Sequence, residues 1–248
     1  MYKFTRQSYY LEMLFNDTLV SSATGFFFMY AYKSYFITNK HNVTGKNPDT
    51  SECINEKASI PNQMIIYEPI TNQKIVTLAW DELSPELSWQ LHEDESVDIA
   101  IKEIEDEVIC QNIAFVDLFC GEEWLVTVTE RVAIVGYPFG KIVSTKIPTY
   151  ITGHLATDLV LDYDNKPLFL VDARTRAGQS GSPVYYFCIS GTAYNTKEES
   201  MDVVFGNQEK PGIEKFLGIY SGRINKDSDL GKVWKKTTIF EVLDKQER

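Results

Sequence analysis

Ser180 lies between two glycines in the stretch Arg176-Ala177-Gly178-Gln179-Ser180-Gly181-Ser182-Pro183-Val184, directly ahead of the apolar run Val184-Tyr185-Tyr186-Phe187. A serine hydroxyl is a poor nucleophile until a base takes its proton and donors stabilise the oxyanion that follows. Flanking glycines allow a tight turn that aims backbone N–H groups at the reacting oxygen. The chemistry to look for upstream is therefore a base and a carboxylate to orient it. The chain has three histidines, so the search is short. His41 ends the run Ser34-Tyr35-Phe36-Ile37-Thr38-Asn39-Lys40-His41, where aromatic and β-branched residues give way to polar ones, and it reads as the last residue of a strand entering a loop. Asp98 is the single carboxylate in Ser96-Val97-Asp98-Ile99-Ala100-Ile101. Burying it there is costly without a partner. An imidazole N–H is such a partner, and the pairing fixes the tautomer of the ring.

Taken singly, each feature has an ordinary alternative. A Ser-Gly pair is usually only a turn, a histidine at a strand end is often a packing residue, and a buried aspartate is often a structural cap. The order His41, Asp98, Ser180 with strand-like sequence around all three is much harder to reach by accident. It is the order of chymotrypsin-type triads rather than the Ser-Asp-His order of α/β-hydrolases, whose G-x-S-x-G elbow also fails here at Ser182.

At these residues the chain resembles the trypsin-like (chymotrypsin-fold) serine peptidases, bacterial members in particular. Thr24-Gly25-Phe26-Phe27-Phe28 looks like the first core strand. Thr38-Asn39-Lys40-His41 is similar to the T-x-x-H segment, Val97-Asp98-Ile99-Ala100 to the D-[IL]-A segment, and Gly178 to Pro183 to G-[DNQ]-S-G-[GS]-P. Gly136-Tyr137-Pro138-Phe139-Gly140 matches a G-x-P-x-G turn of bacterial members. Leu217-Gly218-Ile219-Tyr220-Ser221-Gly222 resembles the strand lining the substrate cleft. The likeness spans residues 20 to 225, nearly the whole chain. It implies an all-β fold of two six-stranded antiparallel β-barrels with a C-terminal helix. Residues 1–115 would form the N-terminal lobe carrying His41 and Asp98, and residues 116–248 the C-terminal lobe carrying Ser180. It also implies Ser180 as nucleophile, His41 as general base and then acid, Asp98 as the group holding His41, and an oxyanion hole from the backbone N–H groups of Gly178 and Ser180.

The same likeness places the specificity pocket six residues before the nucleophile, at Arg174 and Thr175, with Tyr220, Ser221 and Gly222 on the far wall. Arg174 directed inward would favour an acidic substrate residue; its alternatives are solvent or a pairing with Asp172. Glutamyl endopeptidases look similar around Ser180 but carry a histidine where Tyr220 stands, which weighs against that specificity. Gln179 replaces the aspartate that pairs with a newly cleaved N-terminus in the digestive enzymes, so that zymogen switch is not expected. The disulfides of secreted animal relatives are missing, and His41 and Asp98 lie 57 positions apart, which places an inserted loop at Asn42 to Pro61.

Composition supports a globular β-rich protein: 44% hydrophobic, with 14 tyrosines and 14 phenylalanines that favour strands. A length of 248 residues allows two lobes around a substantial core. The net charge of −11 argues against nucleic acid or an anionic membrane as partner. No apolar h-region follows Met1 and no run reaches a membrane span. Cys53, Cys110, Cys120 and Cys188 have neither metal-ligand spacing nor a pairing plan, and free thiols point to the reducing cytoplasm. No cofactor and no metal is expected. The expected partner is a protein or peptide substrate, with control falling to an activating protein partner or to the oxyanion loop. The competing reading is a catalytically silent binding module that uses the same cleft to hold a peptide.

Along the chain, residues 1 to 20 read as a short amphipathic turn or a strand joining the first barrel. Strand signals fall at Ser34–Ile37, Met64–Tyr67, Lys74–Leu78, Leu125–Val128, Arg131–Val135, Leu159–Leu161, Leu168–Val171 and Val184–Phe187. Trp80 to Ser96 reads as a loop, Glu103 to Phe119 as a connector with a helical portion, Ser190 to Gly212 as a surface loop, and Leu230 to Leu243 as the C-terminal helix. His92 reads as a surface residue, His154 as a pocket or turn residue, and Tyr220 and Trp234 as packing.

Overall fold

A computed structural model describes residues 3–54, 60–140, 147–206 and 212–244. Residues 55–59 of the expected Asn42–Pro61 insertion lie outside the described residues. The first sheet is built from β1 (Tyr9–Phe15), β2 (Thr18–Tyr30), β3 (Lys33–Thr38), β4 (Gln63–Tyr67), β5 (Lys74–Ala79), β6 (Gln90–Leu91), β7 (Ala100–Glu103) and β8 (Phe115–Val116). Its order is β5-β4-β1-β2-β3-β7-β6, with β8 added in parallel to β2. Two short helices belong to this half, α1 (Lys40–Thr44) and α2 (Glu107–Gln111), the latter capped by the Asp106 carboxylate on two backbone N–H groups.

The second half contains β9 (Arg131–Gly136), β10 (Thr149–Leu155), β11 (Leu168–Asp172), β12 (Pro183–Cys188), β13 (Ser190–Asn195), β14 (Ser200–Phe205), β15 (Ile213–Arg223) and β16 (Leu230–Lys235), then α3 (Thr237–Leu243). Six of these close an antiparallel barrel in the order β10-β11-β16-β15-β12-β9. This is the chymotrypsin-like arrangement, with the N-terminal sheet curved as an open path rather than closed by hydrogen bonds.

Successive side chains on a strand point to opposite faces, and the core shows what that does to the aromatic runs. In β2, Phe27 enters the core of the first sheet beside Phe36, Met64 and Trp89, while Phe26 and Phe28 face the second half. In β12, Val184 and Tyr186 fill the barrel, while Tyr185 and Phe187 face the first sheet. Both strands are buried on both faces, so they read as unbroken apolar runs instead of alternating ones. Phe26, Phe28, Val135, Tyr185, Phe216 and Trp234 form the seam, with Ile239, Val242 and Leu243 of α3 packed on it.

Several expected elements differ. Leu230 to Leu243 is a strand followed by a short helix, because Leu230–Lys235 pairs with both β11 and β15. Ser190 to Gly212 contains the β13–β14 hairpin rather than a bare loop. Leu125–Val128 and Leu159–Leu161 form no strand; Val160 and Leu161 are exposed, with no sheet face to cover.

Phe216 is fully buried and meets the rings of both Phe26 and Tyr185, at centroid distances of 5.7 and 5.8 Å. Phe216→Ala should therefore cost about 3–5 kcal/mol in urea unfolding; a loss below about 1 kcal/mol would show that the seam does not hold the halves together.

Candidate active site

His41 is not the last residue of a strand but belongs to the single-turn helix α1 that follows β3. The difference matters, because backbone N–H groups in the first turn of a helix have no intrahelical carbonyl to serve. The His41 N–H donates to Asp98 Oδ1 at 2.9 Å, and His41 Nδ1 lies 2.6 Å from Asp98 Oδ2. Asp98 is fully buried and receives a further bond from the Ser221 hydroxyl to Oδ2 at 2.5 Å. Asn39 Nδ2 donates to the Asp98 carbonyl at 2.7 Å and ties β3 to the Asp98 segment. The carboxylate thus has three donors, two from His41 and one from β15 in the opposite half. With both oxygens of Asp98 accepting, the bond to His41 is made by a proton on Nδ1, which leaves Nε2 free to accept.

Ser180 reaches the same point from the second half. Its carbonyl accepts from the Thr24 N–H at 2.9 Å and from Asn42 Nδ2 at 3.4 Å, one residue from His41. Its hydroxyl donates to the Ser221 carbonyl at 3.1 Å. Ser221 therefore touches both Asp98 and Ser180, which places it at the centre of the site. One rotation about χ1 separates this position of the Ser180 hydroxyl from others open to it.

The turn that carries Ser180 is held from inside and outside. Gln179 is fully buried; its Oε1 accepts from the Arg176 N–H at 3.0 Å, and its own N–H donates to the Arg176 carbonyl at 3.3 Å. The neutral amide thus closes the turn locally. From outside, the Phe139 N–H donates to the Ala177 carbonyl at 2.5 Å. The Thr24 hydroxyl donates to the Gly178 carbonyl at 2.9 Å while accepting from the Tyr137 N–H at 3.1 Å. Glycine is required at both flanks. Gly178 has φ +95 and a Cβ there would stand 2.3 Å from the Tyr137 carbonyl; Gly181 has φ +88 and its Cβ would meet the Thr24 carbonyl at 2.0 Å. Among the described residues, nothing accepts from the N–H of Gly178 or of Ser180.

The expected pocket residues separate. Burial alternates from Ala173 to Thr175, and Arg174 falls on the outer face: its side chain is 83% exposed, with Nε 4.0 Å from Asp229 Oδ2 rather than beside Asp172. Thr175 and Tyr220 are buried and bonded to each other, the Tyr220 hydroxyl donating to Thr175 Oγ1 at 2.5 Å. Burial pushes the Tyr220 phenol up to about 12, so it stays a neutral donor. Gly222 opens on empty space where a side chain would be. His154 is an exposed residue of β10, and His92 docks the 90s segment on α3 through Nε2 and Glu241 at 3.0 Å. Sequence reasoning did not find Thr24, Asn39 or Asn42 as site supports, nor the bond from Ser221 to Asp98. Polar residues beside the motif positions were the only signal.

Thr24→Val keeps the side-chain volume and deletes the hydroxyl that bridges two buried backbone groups. It should cost about 1–3 kcal/mol in urea unfolding, and Thr24→Ser should recover most of it. A valine variant as stable as the parent would show that the bridge is dispensable.

No family model matches the chain, and no curated protein matches it. Solved structures do. The active form of the Rv3671c protease from M. tuberculosis aligns over 98% of this chain and 81% of its own, with a TM-score of 0.55 and 16% identity. A serine endoprotease from Yersinia pestis aligns over 97% of this chain and 62% of its own, with a TM-score of 0.53 and 14% identity. A Glu endopeptidase in complex with MPD aligns over 99% and 92%, with a TM-score of 0.53 and 14% identity. The barrel, the open sheet and the seam between them give this chain the fold of the chymotrypsin-type serine peptidases.

Proposed function

We propose that the chain is a serine endopeptidase that hydrolyses peptide bonds in a protein substrate through His41, Asp98 and Ser180. The observation that carries this reading is the fully buried Asp98 carboxylate bonded at both oxygens to His41, with Ser180 linked to it through Ser221. In this reading His41 Nε2 takes the Ser180 proton as Oγ attacks the scissile carbonyl carbon. The N–H groups of Gly178 and Ser180 stabilise the oxyanion. The intermediate collapses as His41 protonates the leaving amine, leaving an acyl group on Ser180. Water, activated by His41, then attacks the ester and releases the second product with Ser180 restored. Asp98 holds and orients the imidazolium that forms in each half-reaction.

The neutral, self-closed Gln179 turn supports an enzyme that needs no new N-terminus to order its oxyanion loop. That feature suits an intracellular regulatory, defence or stress protease, cytoplasmic and with a narrow target, in which a protein partner supplies control. No helix among the described residues is long and apolar enough to cross a membrane. One observation favours a second reading, a silent peptide-binding module: the Ser180 hydroxyl is engaged by the Ser221 carbonyl.

Incubation with an unfolded protein substrate, with products read by mass spectrometry, separates the two. Cleavage that is lost in Ser180→Ala, and lowered about 10⁴-fold in kcat by Asp98→Asn, is the result expected of the enzyme. Binding of the same substrate without products, in wild type and Ser180→Ala alike, would establish the module instead.

A further inference from the structure

Residues 45–54, which follow α1, form a loop closed on itself by the Ile54 N–H to Gly45 carbonyl bond, and its tip reaches across to the other half of the molecule. Asn47 organises it: the Asn47 N–H donates to the Glu52 carbonyl at 2.8 Å, and Asn47 Oδ1 accepts from the Asp49 N–H at 2.8 Å. The loop presents Asp49 to two lysines of the second half. Asp49 Oδ2 lies 2.7 Å from Lys232 Nζ and Oδ1 lies 3.4 Å from Lys166 Nζ. Lys232 belongs to β16 directly opposite Gly222, one residue from Ser221, and Lys166 belongs to the turn before β11.

These contacts line a cavity that also reaches Ser221. A cavity of about 650 Å³ is walled by His41, Lys40, Pro48 and Ser96. A second cavity of about 490 Å³ is walled by Pro48, Asp49, Ser96, Ser221, Lys166 and Lys232. Pro48 and Ser96 line both, so the two cavities adjoin at the Pro48–Asp49 tip. The lysines are largely covered, with side chains 26% and 17% exposed, whereas Asp49 is 48% exposed. Burial raises the Asp49 carboxyl, but the bonds and charges of Lys232 and Lys166 outweigh it and hold the group below the ordinary aspartate value. With Asp49 withdrawn, two covered ammonium groups would face the second cavity opposite the exposed Asp164, with Asp94 near enough to Lys166 to feel its charge and Glu82, Glu86, Asp94 and Glu95 on the wall of the first cavity. Such a site demands an anion, on a chain whose net charge is −11. An ion pair with one member half open to solvent is also weak enough to be exchanged.

We propose that Lys166 and Lys232 form a subsite for an acidic side chain of the substrate, and that Asp49 fills it in the resting chain as an internal stand-in. The proposal rests on the endopeptidase reading above and deepens it to a substrate class: a peptide with a Glu or Asp near the bond to be cut. Entry of that residue displaces Asp49, lifts the Pro48–Asp49 tip and joins the two cavities into one groove. The loop thereby both restricts access and selects what opens it.

The test uses fluorogenic peptides built on a sequence the full chain cleaves, with Glu or Gln placed in turn at each of the flanking positions. Wild type should prefer Glu over Gln at one position, by about fivefold in kcat/KM at low salt, and the preference should shrink as salt rises. Asp49→Ala and Asp49→Asn should lower KM for the Glu peptide with kcat little changed. The Lys166→Ala, Lys232→Ala double variant should abolish the Glu preference while a fluorophosphonate still titrates Ser180 in full. Full titration with no Glu preference at any position, in wild type and Asp49→Ala, would overturn the subsite and leave the enzyme standing. Absence of titration in every variant would remove the enzyme reading, and the subsite with it.

Discussion

A carboxylate with no exposure to water is the constraint around which this molecule is organised. Asp98 stands in an apolar segment at the seam between two halves, where an unpaired charge would cost more than the folded state can spare. Its donors come from both sides: the His41 backbone and ring from the start of α1, the Ser221 hydroxyl from β15. Ser221 can donate only if the barrel is docked on the first sheet. The docking is driven by Phe26, Phe28, Tyr185, Phe216 and Trp234, all buried in one cluster. Assembly of the core and assembly of the site are therefore one event. The apolar seam supplies the drive, and the polar contact at its edge fixes the register.

The turn carrying Ser180 follows the same logic at smaller scale. Its carbonyls are committed to Thr24, Asn42 and the Phe139 N–H, so the backbone has little freedom to turn over. With the carbonyls tied back, the N–H groups of Gly178 and Ser180 have no described acceptor, as preorganised donors require. Where an ion pair orders this loop in the digestive enzymes, here the Gln179 amide bonds the Arg176 N–H three residues away. A neutral clamp of that kind is insensitive to salt and to chain cleavage.

The residues proposed to do the chemistry were legible because each sits in a short stretch whose composition is odd for its surroundings: a lone Asp among Val and Ile, a histidine at the end of a β-branched run, a serine between glycines. Their supports were not. Thr24 and Gly178 are 154 positions apart, and Ser221 and Asp98 are 123 apart, so no local pattern marks those bonds. Strands buried on both faces gave strong signals at Phe26–Phe28 and Val184–Phe187, though not which face each ring would take. Leu230–Lys235 became a strand because β11 and β15 offered it backbone partners on both sides, an influence no window of sequence contains. The β13–β14 hairpin was hidden because β14 turns its apolar residues Met201, Val203 and Phe205 outward and buries only Val204 on the other face, so no polar-out, apolar-in alternation marks it. Arg174 illustrates the converse. Its position relative to Ser180 suggested a pocket floor, and the two-residue period of the segment turned it to solvent.

The proposed reaction requires that His41 and Asp98 make Ser180 nucleophilic, and the most direct measurement is the site and rate of phosphonylation. Mass spectrometry of the full chain after treatment with a fluorophosphonate should find one adduct, on Ser180. The adduct should form orders of magnitude more slowly in folded His41→Ala. An adduct on another residue, or equal rates with and without the His41 imidazole, would contradict it.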